Sequence, residues 1–328
     1  MILVLSDANQ EITTEEVVDW VRALGGDCVR LNGDDLTSPR PFRLAVGGTG
    51  PRIRLCVDGR HFTEQDVRVV WLRRWGAGEG APVRALPGLE PIAAQMNAHL
   101  GRELGAVAGA LFGALGDAHW LTRPQDGAVG KLHVLRAAAV AGLEIPPTLV
   151  SNDPDELEAF RREHGRVITK SVGEMEMYCF FGYRFGLYTA EVREDDVAAL
   201  PRPAFPSLVQ ALVEKEFEIR TFYLAGEMYS MAIFSQADEQ TAVDFRHYRR
   251  QRPNRSVPYR LPEDVAGRVR AAMRALRLET GSIDFIRTPD GRHVFLEVNP
   301  GGQFGMVSHR CNYRLEKKVA EYLIARSA

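Results

Sequence analysis

An α/β (α+β) fold is the class this sequence predicts, on three observations. Strand-like runs such as "MILVLSD" alternate with helix-patterned runs to about residue 120. A series of hairpin-like segments rich in β-branched and aromatic residues fills the later part. An amphipathic run, "CNYRLEKKVAEYLI", closes the chain.

"MILVLSD" reads as a buried first strand, and "TTEEVVDWVRAL" as a helix with Thr13 and Glu16 spaced as a capping box. "FRLAV", "IRLCVDG" and "VRVVWLRRW" read as strands, and residues 89–115 as a long Ala/Gly-rich helix. From "HWLTRP" onward the pattern is strand, turn, helix, then a strand entered through Pro146-Pro147. "DPDELEAFRREHG" is a capped helix. Hairpins follow: "RVITKSV" with "MYCFFGYRFGLYTAEV", then "SLVQALV" and "FEIRTFYLAGEMYSMAIFS". "GSIDFIRTPDGRHVFLEVNP" turns at Pro289-Asp290-Gly291. The final run presents Leu315, Val319, Tyr322 and Leu323 on its apolar side.

The 328 residues leave room for two or three domains. Lys plus Arg is 41 and Asp plus Glu is 43, a net charge of -2, which argues against a general nucleic-acid binder. Cys28, Cys56, Cys179 and Cys311 form no CxxC pair, so neither a zinc knuckle nor a disulfide framework is implied. No apolar run approaches the ~20 residues of a membrane span, and no basic segment precedes an apolar one at the start. A cytoplasmic protein with no membrane partner is the expectation.

"FLEVNPGGQF" carries the chemistry. Glu297 and Asn299 are two apart, so on a strand they share a face. The "TPDGR" turn sets their strand beside "IDFI", and Asp284 joins them. Two carboxylates and an amide oxygen suit a hard cation such as Mg²⁺ that also holds phosphates. The alternative is a set of solvent-facing edge charges. The apolar surroundings favour the metal, because a buried carboxylate is costly without a partner. Lys131 opens a helix and Lys170 ends "RVITK". Each is either a point charge for phosphates or an ordinary solvated lysine. Gln210, Ala211, Leu212 and Val213 can offer backbone groups to a flat base between apolar walls. Glu218 and Arg220 share a strand face, and Arg246 lies in the basic "VDFRHYRRQR".

Taken together, these motifs resemble the ATP-grasp superfamily. Within it they are most similar to the graspetide (microviridin-type) ligases that mature peptides, and in particular to the maturase of grasp-with-spasm systems. The likeness rests on Lys131, Lys170, "LVQALV", "FEIRTFYL", "IDF" and "EVNP" in that order. "FYLAGEMYSMAIFSQADEQTAVDFRHY", the closing "EVNPGGQFGMVSHRCNYRLEKKVAEYLI" and the N-terminal "VVWLRRW" add to it. The resemblance implies an ATP-grasp fold with a pre-ATP-grasp α/β domain over 1–118. A central subdomain with a lid spans 119–205, and a C-terminal subdomain with the metal site spans 206–328. Lys131 and Lys170 would contact ATP phosphates and the adenine edge, and Gln210 to Val213 would form the adenine hinge. Glu214 and Glu218 compete for the ribose. Asp284, Glu297 and Asn299 would hold Mg²⁺, and Arg220 and Arg246 would serve as catalytic cations at the γ-phosphate and acyl group.

The implied reaction activates an Asp or Glu side chain of a ribosomal precursor peptide, leader plus core, as an acyl phosphate. A hydroxyl or amine of the same peptide then closes an ester or amide ring. Relatives suggest a homodimer. Residues 171–191, with Gly173, Gly182 and Gly186, are either a mobile cover or a plain hairpin. Arg73 and Arg74, with Trp71 and Trp75, are candidates for a wall that docks the peptide, although a tryptophan in an apolar strand is usually core. Rival readings are an ATP-grasp ligase that adds an amino acid to a carboxylate, a nucleotide-binding module without catalysis, and a nucleic-acid binder built on "RHYRRQRPNR".

Overall fold

The computed structural model describes residues 1–7, 12–38, 42–46, 52–57, 59–75, 83, 86–173, 177–180, 183–186, 189–235 and 254–328. The chain forms two compact units, Met1–Gly127 with Gln303–Ser308 and Tyr313–Ala328, and Ala128–Gly302 with His309–Asn312.

The first unit is built on β1 (Ile2–Ser6), α1 (Ile12–Ala23), β2 (Cys28–Asn32), β3 (Phe42–Leu44), β4 (Ile53–Val57), β5 (Arg60–Thr63), β6 (Val69–Leu72), α2 (Glu90–Ala114), β7 (His119–Trp120) and α3 (Pro124–Gly127). A parallel sheet runs β2-β1-β6-β7, and β3-β4-β5 form an antiparallel one. All five residues of β1 are buried, as a central parallel strand covered on both faces requires. Leu3, Leu5, Leu31 and Val70 pack there with Leu111 and Leu115 at the end of α2. The capping box expected at Thr13 is not the helix start. Helix α1 already includes Ile12, so Thr13 lies inside its first turn, and its buried stripe is Thr14, Val17, Val18 and Val21. The first half of α2 carries an uncovered apolar row, Ile92, Met96 and Leu100.

The second unit contains α4 (Lys131–Val140), β8 (Thr148–Ser151), α5 (Pro154–His164), β9 (Val167–Thr169), β10 (Met177–Phe180), β11 (Tyr183–Gly186), β12 (Ala190–Val192), α6 (Glu194–Ala198) and β13 (Ser207–Ala211). It continues with β14 (Phe217–Leu224), β15 (Glu227–Phe234), β16 (Arg255–Tyr259), α7 (Glu263–Ala275), β17 (Thr280–Arg287) and β18 (His293–Asn299). A four-stranded sheet is ordered β12-β9-β13-β8, and a five-stranded antiparallel sheet β16-β15-β14-β17-β18. On one face of the larger sheet, Ile219, Ile283, Phe285, Phe295 and Val298 form a core with Val134 and Leu135 of α4 and Val265 and Val269 of α7. The opposite face carries Glu218, Arg220, Asp284 and Glu297. Helix α5 is capped as expected, with Asp153 Oδ1 accepting from the Asp155 amide at 2.9 Å and Pro154 in the first turn.

A short helix, α8 (Gly305–Cys311), precedes α9 (Leu315–Ser327). The sequence-based boundaries put α9 with 206–328. In the structure it returns to the first unit, where its buried Leu315, Val319 and Leu323 lie on the side that packs along α1 and β1. Among the described residues no helix is long and apolar enough to cross a membrane.

Candidate nucleotide and metal site

The β17–β18 hairpin forms as its turn chemistry dictates. Gly291 has φ of 100°, where a side chain is strained, and its amide donates to Thr288 O at 3.0 Å. Asp284 then stands opposite Glu297, and Ser282 opposite Asn299. Arg220 of β14 stands opposite Asp284 on the other side. One row therefore crosses three strands: Arg220, Asp284, Glu297.

The register holds a feature that the sequence alone did not reveal. Asp284 pairs with Glu297, but the next residue, Phe285, pairs with Phe295, so β18 bulges at Leu296. Simple alternation would send Phe295 and Glu297 to the same face. The extra residue sends Phe295 into the core with Phe285, ring centroids 5.5 Å apart, and Glu297 to the chemical face. Both the fold and the site depend on that one insertion.

Arg220 Nη1 donates to both Asp284 oxygens, at 3.2 and 3.1 Å, and both side chains are largely buried. The donor set of Asp284, Glu297 and Asn299 is all oxygen and already accommodates a cationic partner, so it fits a hard divalent ion. Gly302 closes the site. A Cβ there would meet Ser282 Cβ at 2.4 Å and Asn299 O at 2.7 Å, so only glycine lets the chain fold back over the strand end.

The lysines are brought together by their loops. Lys131 Nζ donates to Ser171 O at 2.8 Å and to Gly173 O at 2.5 Å, which ties the start of α4 to the segment that follows Lys170. Lys170 itself follows β9 and is half-buried. Hairpin β10–β11 pairs with no other strand among the described residues and exposes Tyr178, Tyr183 and Phe185.

In the hinge, Gln210 is only 1% exposed, and its Nε2 donates to Thr148 Oγ1 at 2.8 Å. The amides of Ala211 and Leu212 donate to Pro147 O and Arg166 O, both at 2.9 Å. The Gln210 side chain and these two amides thus hold neighbouring strands of one sheet together, and a base at this segment would be met from Val213 onward. Leu212, Val213 and the exposed Glu214 line a cavity of about 440 Å³ with Pro146, Pro147 and Arg292.

Glu218 lies on the same face as Arg220 and is buried. Burial pushes its carboxyl up to about 7. Lys215 and the Ser235 hydroxyl oppose that rise, and the charge of Asp284 adds to it. Lys215 and Ser235 were not anticipated. Lys215 precedes the strand, outside any alternation, and Ser235 is distant in sequence.

Two expected wall residues take a different place. Trp71 is 2% exposed and belongs to the core, because β6 is an interior strand of the parallel sheet. Arg73 is 4% exposed, with its guanidinium 5.7 Å from the Phe304 ring centroid. Trp75 packs edge-on against Phe112, and Arg74 is exposed. A wall made of all four is not what this strand presents. Arg246 lies outside the described residues.

A four-stranded and a five-stranded sheet joined by a hinge segment make a fold shared with solved ATP-grasp ligases. Solved structures bear this out along the whole chain. A RiPP-associated ATP-grasp ligase from Chryseobacterium gregarium, in complex with ADP and a leader and core peptide, is 24% identical with a TM-score of 0.86, over 100% of this chain and 97% of that one. Macrocyclase MdnC from Microcystis aeruginosa MRC, bound with precursor peptide MdnA, is 22% identical with a TM-score of 0.84, over 99% of both chains. The ATP-grasp ligase PsnB, complexed with minimal precursor, Mg and ADP, is 20% identical with a TM-score of 0.76, over 100% of this chain and 97% of that one. No family model matches the sequence, and no curated protein matches it.

Proposed function

We propose that this protein is an ATP- and Mg²⁺-dependent ligase that crosslinks the side chains of a ribosomally made precursor peptide. One observation carries the reading. The likeness to peptide-bound ligases extends over the full chain, including the N-terminal unit, and is not confined to the nucleotide-binding part.

Mg²⁺ held by Asp284, Glu297 and Asn299 would offset the charge of the ATP phosphates. Lys131 and Lys170 stand at the loop after β9 as further phosphate cations. Val213 is the hinge group left to meet adenine, and Glu214 and Glu218 are the carboxylates that compete for the ribose. A carboxylate oxygen of the peptide attacks the γ-phosphorus, ADP departs, and an acyl phosphate forms. Arg220 leaves or shares its partner Asp284 to face that carboxylate, and Arg246 is proposed as a second cation there. A hydroxyl or amine of the peptide attacks the acyl carbon, loses its proton and expels phosphate. The β10–β11 hairpin is the proposed cover, since water would hydrolyse the acyl phosphate. Exposed Arg74 remains the candidate for peptide docking. Use of ATP and a ribosomal peptide supports a cytoplasmic location. The bare row on α2 supports a homodimer in which each copy covers the other's row across a two-fold axis.

The test is mass spectrometry of a candidate precursor incubated with enzyme and Mg-ATP. Each ring should remove about 18 Da, one water, through the activated acyl group. A precursor that gains an amino acid residue in mass would instead support the amino-acid-adding ligase. Elution with light scattering at twice the chain mass would support the dimer.

A further inference from the structure

Lys215 is a buried ammonium that the proposed chemistry leaves without a task. Its side chain is 6% exposed, and it forms an ion pair with Glu218 Oε1. Ser235 Oγ donates to the same oxygen at 3.2 Å. Lys215 sits between the hinge and β14, and the neighbouring Glu216 amide donates to Arg287 O at 2.8 Å. Burying two ions costs more than packing two apolar side chains of similar volume, so a pair like this is weak evidence of a stability device. Its location favours a task in the site. Glu218 stands on the face that carries Arg220 and Asp284, at the end nearest the hinge.

We infer that Lys215 is a positioning residue for nucleotide binding: it holds the Glu218 carboxylate as a fixed hydrogen-bond acceptor beside the hinge. Oxygen Oε1 is held by Lys215 and Ser235, which aims the carboxylate. An ionised carboxylate accepts from ribose hydroxyls and a protonated one does so less well. Among the described residues, the groups that bear on Glu218 are Lys215 from the hinge, Ser235 from the end of β15, and Asp284 from β17. Arg220, on its own strand, is paired with Asp284. Lys215 supplies the local positive charge. Without it, desolvation and Asp284 both favour the neutral acid.

The inference rests on the nucleotide reading above, and calorimetric titration with Mg-ADP separates the two. If the wild-type chain does not bind Mg-ADP, the nucleotide reading fails. If it binds, K215M should weaken affinity about fivefold at pH 7, the effect of displacing by about one unit the titration of a carboxyl that is half ionised there. Most of that loss should disappear by pH 9, and K215R should stay near wild type at both values. Unchanged affinity in K215M, or an equal loss at both pH values, would overturn the inference. Should K215M fail to fold, S235A removes the second donor to the same oxygen. It should move the pH midpoint of binding upward by a smaller amount, and no movement would likewise overturn the inference.

Discussion

Glu297 faces Asp284 across one pair of strands, so two carboxylates share a face with one guanidinium. Like charges directly opposite in a sheet repel. Replacing Glu297 with Gln removes one of them and keeps the shape. The expected result is a split: Mn²⁺ affinity, followed by electron paramagnetic resonance, falls at least about tenfold as an anionic oxygen ligand is lost, while the melting temperature holds or rises. A fall in melting temperature with metal binding retained would remove Glu297 from the ligand set. Gly302 behaves in the opposite way. An added methyl meets Ser282 Cβ at 2.4 Å and Asn299 O at 2.7 Å. G302A should therefore cost about 1–3 kcal/mol of stability in denaturant titration, the range for overpacking. It should also lower Mn²⁺ affinity, because Asn299 must move. At this scale the shared face of Glu297 and Asn299 and the turn that sets their strand beside Asp284 were legible in sequence, but the pairing of Asp284 with Glu297 also needs the bulge at Leu296, which was not. Lys215 and Ser235 were not, because their partner Glu218 is reached from a hinge and a strand end that no periodicity links.

At the scale of elements, the hairpin was readable but its bulge was not. The run "FLEVNP" has buried and polar residues whose strict alternation would contradict itself, with Phe295 and Glu297 sent the same way. The contradiction marks an irregularity without saying which residue absorbs it. Leu296 does. Deleting Leu296 would restore regular pairing, and the strand must then choose between burying Phe295 and presenting Glu297. Burial of a phenylalanine is worth about 1.5–3 kcal/mol, so the core should win. The deletion variant is expected to keep its β-rich circular dichroism and lose Mn²⁺ binding. A variant that keeps both would show that the site does not depend on the bulge. The capped helix α5 was readable from "DPDEL" because its cap is local. The start of α1 was not: the helix already includes Ile12, so the Thr13–Glu16 spacing falls inside it.

Across the whole molecule, the chain order hides which pieces fold together. The first unit receives residues 313–328 after the chain has completed the second. Local pattern predicts that "LEKKVAEYLI" is an amphipathic helix, yet it carries no information about which sheet it covers. The partner is fixed by surfaces far away in sequence: α1, with Lys317 Nζ 5.6 Å from the Trp20 ring centroid, and β7, whose His119 Nε2 lies 3.0 Å from the Tyr322 hydroxyl. Leu315, Val319 and Leu323 are almost fully buried there. At about 1.5–3 kcal/mol for each buried side chain, their removal costs about 5–9 kcal/mol, comparable with the stability of an ordinary domain. Deleting residues 315–328 should therefore unfold the first unit selectively. Hydrogen exchange should show protection lost in β1, β2 and β6 and kept in β14, β15 and β17, whose packing lies within the second unit. Equal loss in both sets would mean that the two units fold as one cooperative block, and the division drawn by their contacts would then have no energetic counterpart.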